Sequence, residues 1–292
     1  MAGRQRESMA SWRRFFAEEL RAVAGLESEA LVEALSHVSR ERFLGQPPWH
    51  VTPGVSLLPT RYRATEDPRD LYHDHLVAIR PEKFLNNGVP SILARLIDGL
   101  SLRAGARVLH VGCGSGYYTA LMAEIVGKNG QVTAVEIEPD VAAEAKENLQ
   151  QWPWVKVIAG DGASFDAGPG TMDAVLVNAS VTHPGPHWLQ ALKVGGVLML
   201  PMAVARHPQA NDVMAMRIVR HAGGFSACAY SILTLYPCAG LRDEATQQLL
   251  NRAFESHAML RVHSLRTDVH AQEAGCVVHA PGYCLSEQQV VA

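Results

Sequence analysis

From residue 105 onward the chain alternates short apolar runs with amphipathic stretches, and this pattern constrains the fold more than any other feature. Strands are expected at 107–112, 131–136, 154–159, 172–178 and 196–201, with helices at 116–127, 139–151 and 186–193. Apolar strands separated by helices imply a parallel sheet with helices on its faces. The expected fold class is therefore α/β, a doubly wound, mostly parallel sheet. Ahead of it, residues 11–38 read as helical, with Ser11 as an N-cap and Ser28 capping a second helix. Residues 45–70, rich in proline, read as a loop, and 89–100 as another helix. Beyond the alternation, "PMAVARHPQANDV" reads as a loop, followed by strands near 213–220 and 225–236. One long helix over 242–262 and a small hairpin in "GCVVHAPGYCLS" complete the chain. The organisation expected is a helical N-terminal cap and substrate-side segment (1–100), a ligand-binding core (101–240) and a C-terminal α+β extension (241–292).

The first strand runs into "VGCGSGYY", where Gly112, Gly114 and Gly116 alternate. A dinucleotide turn is spaced G-x-G-x-x-G, and Tyr117 stands where its third glycine would fall. That disfavours a nicotinamide-dependent oxidoreductase. S-adenosylmethionine fits better, because its carboxylate can accept from amides at the start of the following helix. Gly112, Cys113, Gly114, Ser115, Gly116 and Tyr117 are the candidate residues of this turn. Two carboxylates extend the pattern. Glu136, followed by Ile137, ends the second strand and can accept both hydroxyls of an adenosine ribose. Asp161, with Gly162 beside it, follows the third strand and can accept from the adenine amino group. Asn178 ends the fourth strand and is a candidate for both cofactor and acceptor. Ser180 and His183 follow it, and His183 is a candidate general base for an acceptor that must lose a proton.

A net charge of −3 disfavours a general nucleic-acid binder. The longest apolar run, Val197–Ala205, falls far short of the roughly 20 residues of a membrane span. Five scattered cysteines form no C-x-x-C pair and fit no zinc spacing, so free thiols, a cytoplasmic location and no metal are expected. The "LYHDHL" stretch, with His73 and His75 around Asp74, reads as polar loop residues rather than a metal site.

These residues resemble a class I S-adenosylmethionine-dependent methyltransferase with a Rossmann-like sheet. More closely, the chain is similar over about residues 28–240 to the protein L-isoaspartate O-methyltransferases. "ALSHVSRERFL", "VLHVGCGSGYYTALMAEIVG", "AGDGA", "MDAVLVNASVTHP" and "LKVGGVLMLPM" carry the likeness. The resemblance implies methyl transfer to a carboxylate of a damaged peptide, giving a methyl ester that collapses to a succinimide. The family reads the isoaspartyl group with T-I-S-x-P. Here Asn86, Asn87 and Gly88 precede Val89-Pro90, so Gly88 replaces the serine and His110 replaces an acid beside the first motif. The resemblance makes Asn86, Asn87 and Gly88 substrate-binding candidates, and it predicts that Gly88→Ser raises isoaspartyl activity. The acceptor classes left open are a peptide, a protein, a natural-product peptide or a small molecule. A binding module without catalysis is a further alternative.

Overall fold

The computed structural model describes residues 8–53, 62–83, 85–204, 212–235 and 237–290. It contains two compact units. The first comprises Met1–Gly105, Cys113–Val132 and Pro139–Val157, and the second Ala106–Gly112, Thr133–Glu138 and Ile158–Ala292.

The first unit begins with α1 (Met9–Ala24) and α2 (Glu29–His37). Ser28 caps α2 by accepting from the Leu31 amide at 3.2 Å, and Leu31, Val32 and Leu35 bury its apolar face. A four-stranded antiparallel sheet follows: β1 (Trp49–Pro53), β2 (Arg63–Thr65), β3 (His75–Arg80) and β4 (Leu85–Asn86), in the order β2-β1-β3-β4. The unit also holds α3 (Pro90–Asp98), α4 (Tyr117–Val126) and α5 (Pro139–Asn148). Asp74 of the "HDH" stretch accepts from the Ser91 amide at 2.8 Å and its hydroxyl at 2.6 Å, tying down the start of α3. The same unit explains "VSRERFL". Arg40 is fully buried. Its guanidinium donates to the carbonyls of Leu71, His73 and His75, and it lies 5.7 Å from the Phe16 ring centroid. A buried cation that saturates carbonyls in this way fixes the backbone of residues 71–75.

The second unit is built on a ten-stranded sheet: β5 (Arg107–Val111), β6 (Gln131–Glu136), β7 (Val155–Ala159), β8 (Met172–Val177), β9 (Leu192–Ala203), β10 (Asp212–His221), β11 (Gly224–Thr234), β12 (Ser264–Arg266), β13 (Cys276–Ala280) and β14 (Tyr283–Ser286). The strand order is β13-β14-β12-β11-β10-β9-β8-β5-β6-β7. The β5–β8 and β8–β9 pairs are parallel, and from β9 outward to β13 the pairing is antiparallel. Two helices accompany it, α6 (Trp188–Ala191) and α7 (Glu244–Glu255). The core of this unit joins Val175 and Val177 to Leu198, Leu200, Met216, Ile218 and Trp188, all buried. Near-continuous apolar runs in β8 and β9 reflect burial on both faces.

Several expectations change. Ser11 lies inside α1, because its amide already donates to the Ser8 carbonyl at 2.8 Å, and Ser8 is the cap residue. Residues 45–70 are not one loop: they contain β1 and β2, strands too short and proline-bounded to show a period. The helix expected over 186–193 shrinks to the four residues of α6, and the chain turns extended at Leu192. The long helix over 242–262 ends at Glu255. The Ser256 hydroxyl bonds back to the Arg252 carbonyl at 2.8 Å, His257 adopts a left-handed conformation at φ 58°, and a separate 3-10 turn covers Ala258–Arg261. The hairpin at "GCVVHAPGYCLS" is present and joins the large sheet as β13 and β14. Of "PMAVARHPQANDV", residues 205–211 lie outside the described residues, as do 54–61.

Candidate active site

Four strand ends of the second unit are tied side by side by backbone hydrogen bonds. The Asn178 amide, after β8, donates to the Val111 carbonyl at 2.8 Å; the Gly112 amide, after β5, to Val135 at 2.8 Å; the Gly160 amide, after β7, to Glu136 at 2.8 Å. This ladder brings Gly112, Glu136, Asp161, Gly162 and Asn178 to one edge of the sheet. Open α/β sheets bind ligands in that position, outside the carboxyl ends of their strands. Gly112 has φ 75°, and a Cβ there would stand 3.3 Å from the Asn178 carbonyl oxygen. A Cβ on Gly162 would meet Val111 Cγ1 at 2.5 Å, so the backbone after β7 packs directly on β5. Asn178 donates from Nδ2 to the Gly112 carbonyl at 3.3 Å, while its Oδ1 is buried with no hydrogen-bond partner among the described residues. A buried acceptor left open beside a glycine cradle fits a polar ligand that supplies the missing donor.

Glu136 is buried, with Oε1 accepting from the Glu138 amide at 3.2 Å; Ile137 beside it is 48% exposed, an apolar surface next to a carboxylate. Asp161 is exposed and accepts from the Ala163 amide at 2.9 Å through Oδ1. One of its oxygens therefore shapes the turn. Burial, reinforced by the Asp161 charge, pushes the Cys238 thiol up to about 11, so it is no nucleophile at neutral pH.

Ser180 and His183 are tied to the C-terminal extension. Ser180 Oγ accepts from Arg242 Nη1 at 2.9 Å, and Arg242 Nη2 donates to Gln247 Oε1 at 2.8 Å. Among the described residues no carboxylate pairs with this guanidinium. Sequence reasoning missed Arg242, which lies in the extension with no motif around it. Thr182 Oγ1 donates to the Leu241 carbonyl at 3.2 Å and lies 3.1 Å from His183 Nδ1. Thr182 Oγ1 also accepts from the Asp243 amide at 2.9 Å, so this hydroxyl ties His183 to the chain around residues 241–243. The hydroxyl and amide of Thr246 hold the neighbouring Asp243 carboxyl below its usual range.

The remaining candidates belong to the first unit. The turn Cys113–Gly116 enters α4 with Gly116 at φ 100°, where a Cβ would meet Leu149 Cδ1 at 2.8 Å. Cys113 and Ser115 are buried, and Asn148 Nδ2 donates to the Ser115 carbonyl at 3.0 Å. Tyr117 is buried against Phe43, ring centroids 5.7 Å apart, so only its backbone is available to a ligand. Asn86 Oδ1 accepts from the Gly88 amide at 2.9 Å; the Asn87 amide donates to Val77 at 2.8 Å, and Asn87 Nδ2 is buried with no partner among the described residues. Gly88 has φ 70°, and a Cβ there would stand 2.7 Å from Leu93 Cδ2. The expectation that serine at 88 would restore a productive hydroxyl is overturned: the backbone is left-handed and the space is filled.

A family model for protein-L-isoaspartate(D-aspartate) O-methyltransferase (PCMT) matches residues 59–228. A protein-L-isoaspartate O-methyltransferase of Archaeoglobus fulgidus is 34% identical over 192 residues, 65% of this chain and 79% of that protein. One from Ignicoccus hospitalis is 36% identical over 115 residues, 39% of this chain and 54% of its own length, so the chain spans about half of that relative. A solved protein-L-isoaspartate O-methyltransferase superposes with a TM-score of 0.57 at 20% identity, covering 83% of this chain and 69% of that one. A candidate protein-L-isoaspartate O-methyltransferase of Plasmodium falciparum, solved with S-adenosyl-L-homocysteine, gives 0.60 at 19%, covering 77% and 97%.

The two solved structures share this fold, and the family model and the Archaeoglobus relative make the chain a class I S-adenosylmethionine-dependent methyltransferase. Within that class the chain belongs to the protein-L-isoaspartate(D-aspartate) O-methyltransferase family. The sequence expectations of fold, family, cofactor and methyltransferase function are borne out, and the nicotinamide alternative falls away. Helices α1 and α2, and everything after residue 228, lie outside the family match.

Proposed function

We propose that this chain methylates the side-chain carboxylate of an L-isoaspartyl residue in a peptide or protein. The observation that carries the reading is the strand-end ladder with Asn178 Oδ1 left open beside Gly112. When bound, S-adenosylmethionine supplies a methyl group already activated on a sulfonium. In the second unit Glu136 would accept from its ribose hydroxyls, Ile137 would pack on its adenine, and Asp161 would accept from the adenine amino group; in the first unit the turn entering α4 offers candidate amides for its carboxylate, that of Gly116 excepted because it donates to Cys113. Asn178 orients the reacting end. Arg242, which pairs with no carboxylate among the described residues, holds the incoming acceptor carboxylate, with Ser180 fixing the guanidinium.

The acceptor oxygen is already nucleophilic and needs no general base. Catalysis is therefore positioning and exclusion of water, which supply several kcal/mol. Within the first unit, Asn87 Nδ2, a buried donor with no partner among the described residues, is the candidate replacement for the missing serine hydroxyl. No described helix is long and apolar enough to cross a membrane, and free cysteines support a reducing, cytoplasmic setting. The Asn86–Gly88 segment also favours a second reading, a different carboxylate acceptor.

Labelled S-adenosylmethionine, incubated with an isoaspartyl peptide and its aspartyl isomer, tests the reading. Base-labile label on the isoaspartyl peptide alone is the expected result. Equal labelling of both isomers, or of neither by a folded, cofactor-binding protein, overturns the isoaspartyl assignment.

A further inference from the structure

The C-terminal extension brings together four soft and borderline ligands. His270, Cys276, His279 and Cys284 each place a ligand atom within 4.8 Å of the others. We propose that this cluster is a structural zinc site, formed by two thiolates and two imidazoles.

The local backbone is built to make it. Cys276 and His279 are three apart on β13, so regular pleating would aim them at opposite faces. A register shift between Cys276 and Val278 inserts one residue and turns Cys276 to the side of His279. Across the hairpin, His279 pairs directly with Cys284 on β14. His270 closes the group from the connection before β13: its Nε2 lies 3.7 Å from Cys276 Sγ and its ring 4.8 Å from that of His279. The second nitrogen of His270, Nδ1, is 3.0 Å from the Asp268 carbonyl oxygen, an outer partner of the kind that fixes the orientation of a ligating histidine. His279 Nδ1 is buried with no hydrogen-bond partner among the described residues.

Two sulfurs and two nitrogens match a tetrahedral zinc site. Zinc–sulfur and zinc–nitrogen bonds of about 2.3 and 2.0–2.1 Å make the edges of such a tetrahedron roughly 3.3–3.8 Å. The side chains need to close by only about 1 Å from their present separations to reach it. All four positions are filled by protein, which leaves no open coordination site and marks the centre as structural. Binding forms two zinc–sulfur bonds and releases the two thiol protons to solvent. The site pins the β13–β14 hairpin, the outermost pair of the large sheet, together with the connection that precedes it. Cys228 is free and exposed on β11 and stands outside the cluster.

The test begins with metal analysis of the full chain purified under reducing conditions without added metal. One zinc ion per chain is expected, with loss to background in Cys276→Ser, Cys284→Ser and His279→Ala, and full retention in Cys228→Ser. Because a variant can fail to fold, the intact chain is also stripped with a chelator and titrated with cobalt(II). The expected result is a visible absorption band of tetrahedral cobalt with a thiolate charge-transfer band, saturating at one equivalent and displaced by zinc. Protection of residues 267–290 from proteolysis should fall on stripping and return with zinc. A folded wild-type chain that takes up neither metal in reducing buffer, or full zinc in His279→Ala, overturns the proposal. So does a Cys276–Cys284 disulfide as the form isolated under those conditions.

Discussion

Tyr283 Oη donates a 2.7 Å hydrogen bond to the Thr182 carbonyl, across 101 residues of sequence, and both groups are buried. The C-terminal hairpin therefore holds the backbone beside His183, which follows the strand whose end carries Asn178. Tyr283→Phe removes the donor and leaves a buried carbonyl unsatisfied, at a cost of about 1–3 kcal/mol. For a chain of this size that lowers Tm by several degrees, about 2–4 °C per kcal/mol. Acceptor KM should rise while S-adenosylhomocysteine affinity, measured by calorimetry, stays within about twofold. Unchanged stability and KM would show that the extension and the loop after β8 are independent.

Gly88→Ser is expected to harm rather than help. The substitution forces a β-carbon into a left-handed backbone and to within 2.7 Å of Leu93 Cδ2. The backbone strain alone costs about 1–2 kcal/mol, and displacing Leu93 from the α3 packing adds to it. Thermal unfolding and steady-state kinetics on one isoaspartyl peptide measure this. A stable variant with a lower KM would contradict the φ and packing described here.

His110 makes stability acid-sensitive. Burial in β5 pushes its pKa from 6.5 down to about 3. The unfolded chain takes up a proton as pH drops below 6.5, while the folded chain resists until about 3. Stability is thus fully present above 6.5 and is lost as pH falls towards 3, by about 1.4 kcal/mol per pH unit. Urea unfolding at pH 7 and pH 5 should show His110→Val losing about 2 kcal/mol less than the native chain over that interval. An equal loss in both would mean that other groups carry the acid sensitivity.

The strand-end acids and the glycine turn were legible because each falls where a strictly alternating pattern changes: Glu136 closes β6, Asp161 follows β7, and Gly112 leaves β5. The four-stranded sheet was not, since β2 spans three residues and β4 two, too few for a period to register. Arg242 and the His270–Cys284 cluster were hidden for a different reason. Arg242 meets Ser180 only through the tertiary fold, and the metal-ligand spacing H-x5-C-x2-H-x4-C works only with the bulge in β13. The substitution Gly88→Ser was misjudged because a motif alignment carries no φ angle.

Glu136 and Asp161 should separate in a cofactor titration. Glu136 is buried at a strand end with an exposed Ile137 beside it, whereas Asp161 commits Oδ1 to the Ala163 amide. Glu136→Ala removes a charged acceptor from two ribose hydroxyls, and hydrogen bonds to a charged group are worth about 1.5–3 kcal/mol. Affinity for S-adenosylhomocysteine should fall roughly 10- to 150-fold.

Asp161→Ala leaves the Ala163 amide without its acceptor, so this variant should lose stability as well as affinity. Asp161→Asn keeps an oxygen for that amide and should lose affinity alone. Calorimetric Kd values and Tm for the three variants decide it. If Glu136→Ala binds as tightly as the native chain, the carboxylate at the end of β6 is a turn-former for Glu138 and not a ribose acceptor.

His183 distinguishes a carboxylate acceptor from a hydroxyl. Its Nδ1 lies 3.1 Å from Thr182 Oγ1, and its ring is the candidate base. A carboxylate has no proton to lose, so His183→Ala should keep kcat on an isoaspartyl peptide within a few-fold of the native value. A hydroxyl acceptor would need that base, and losing a general base costs about 100-fold or more. The same comparison run from pH 6 to 9 adds a second readout. Without a required base, kcat for the native chain and for His183→Ala should follow parallel profiles. Base-labile product together with a 100-fold slower, differently pH-dependent variant would show that His183 is needed for carboxylate methylation itself, and the reading that no base is required would fail.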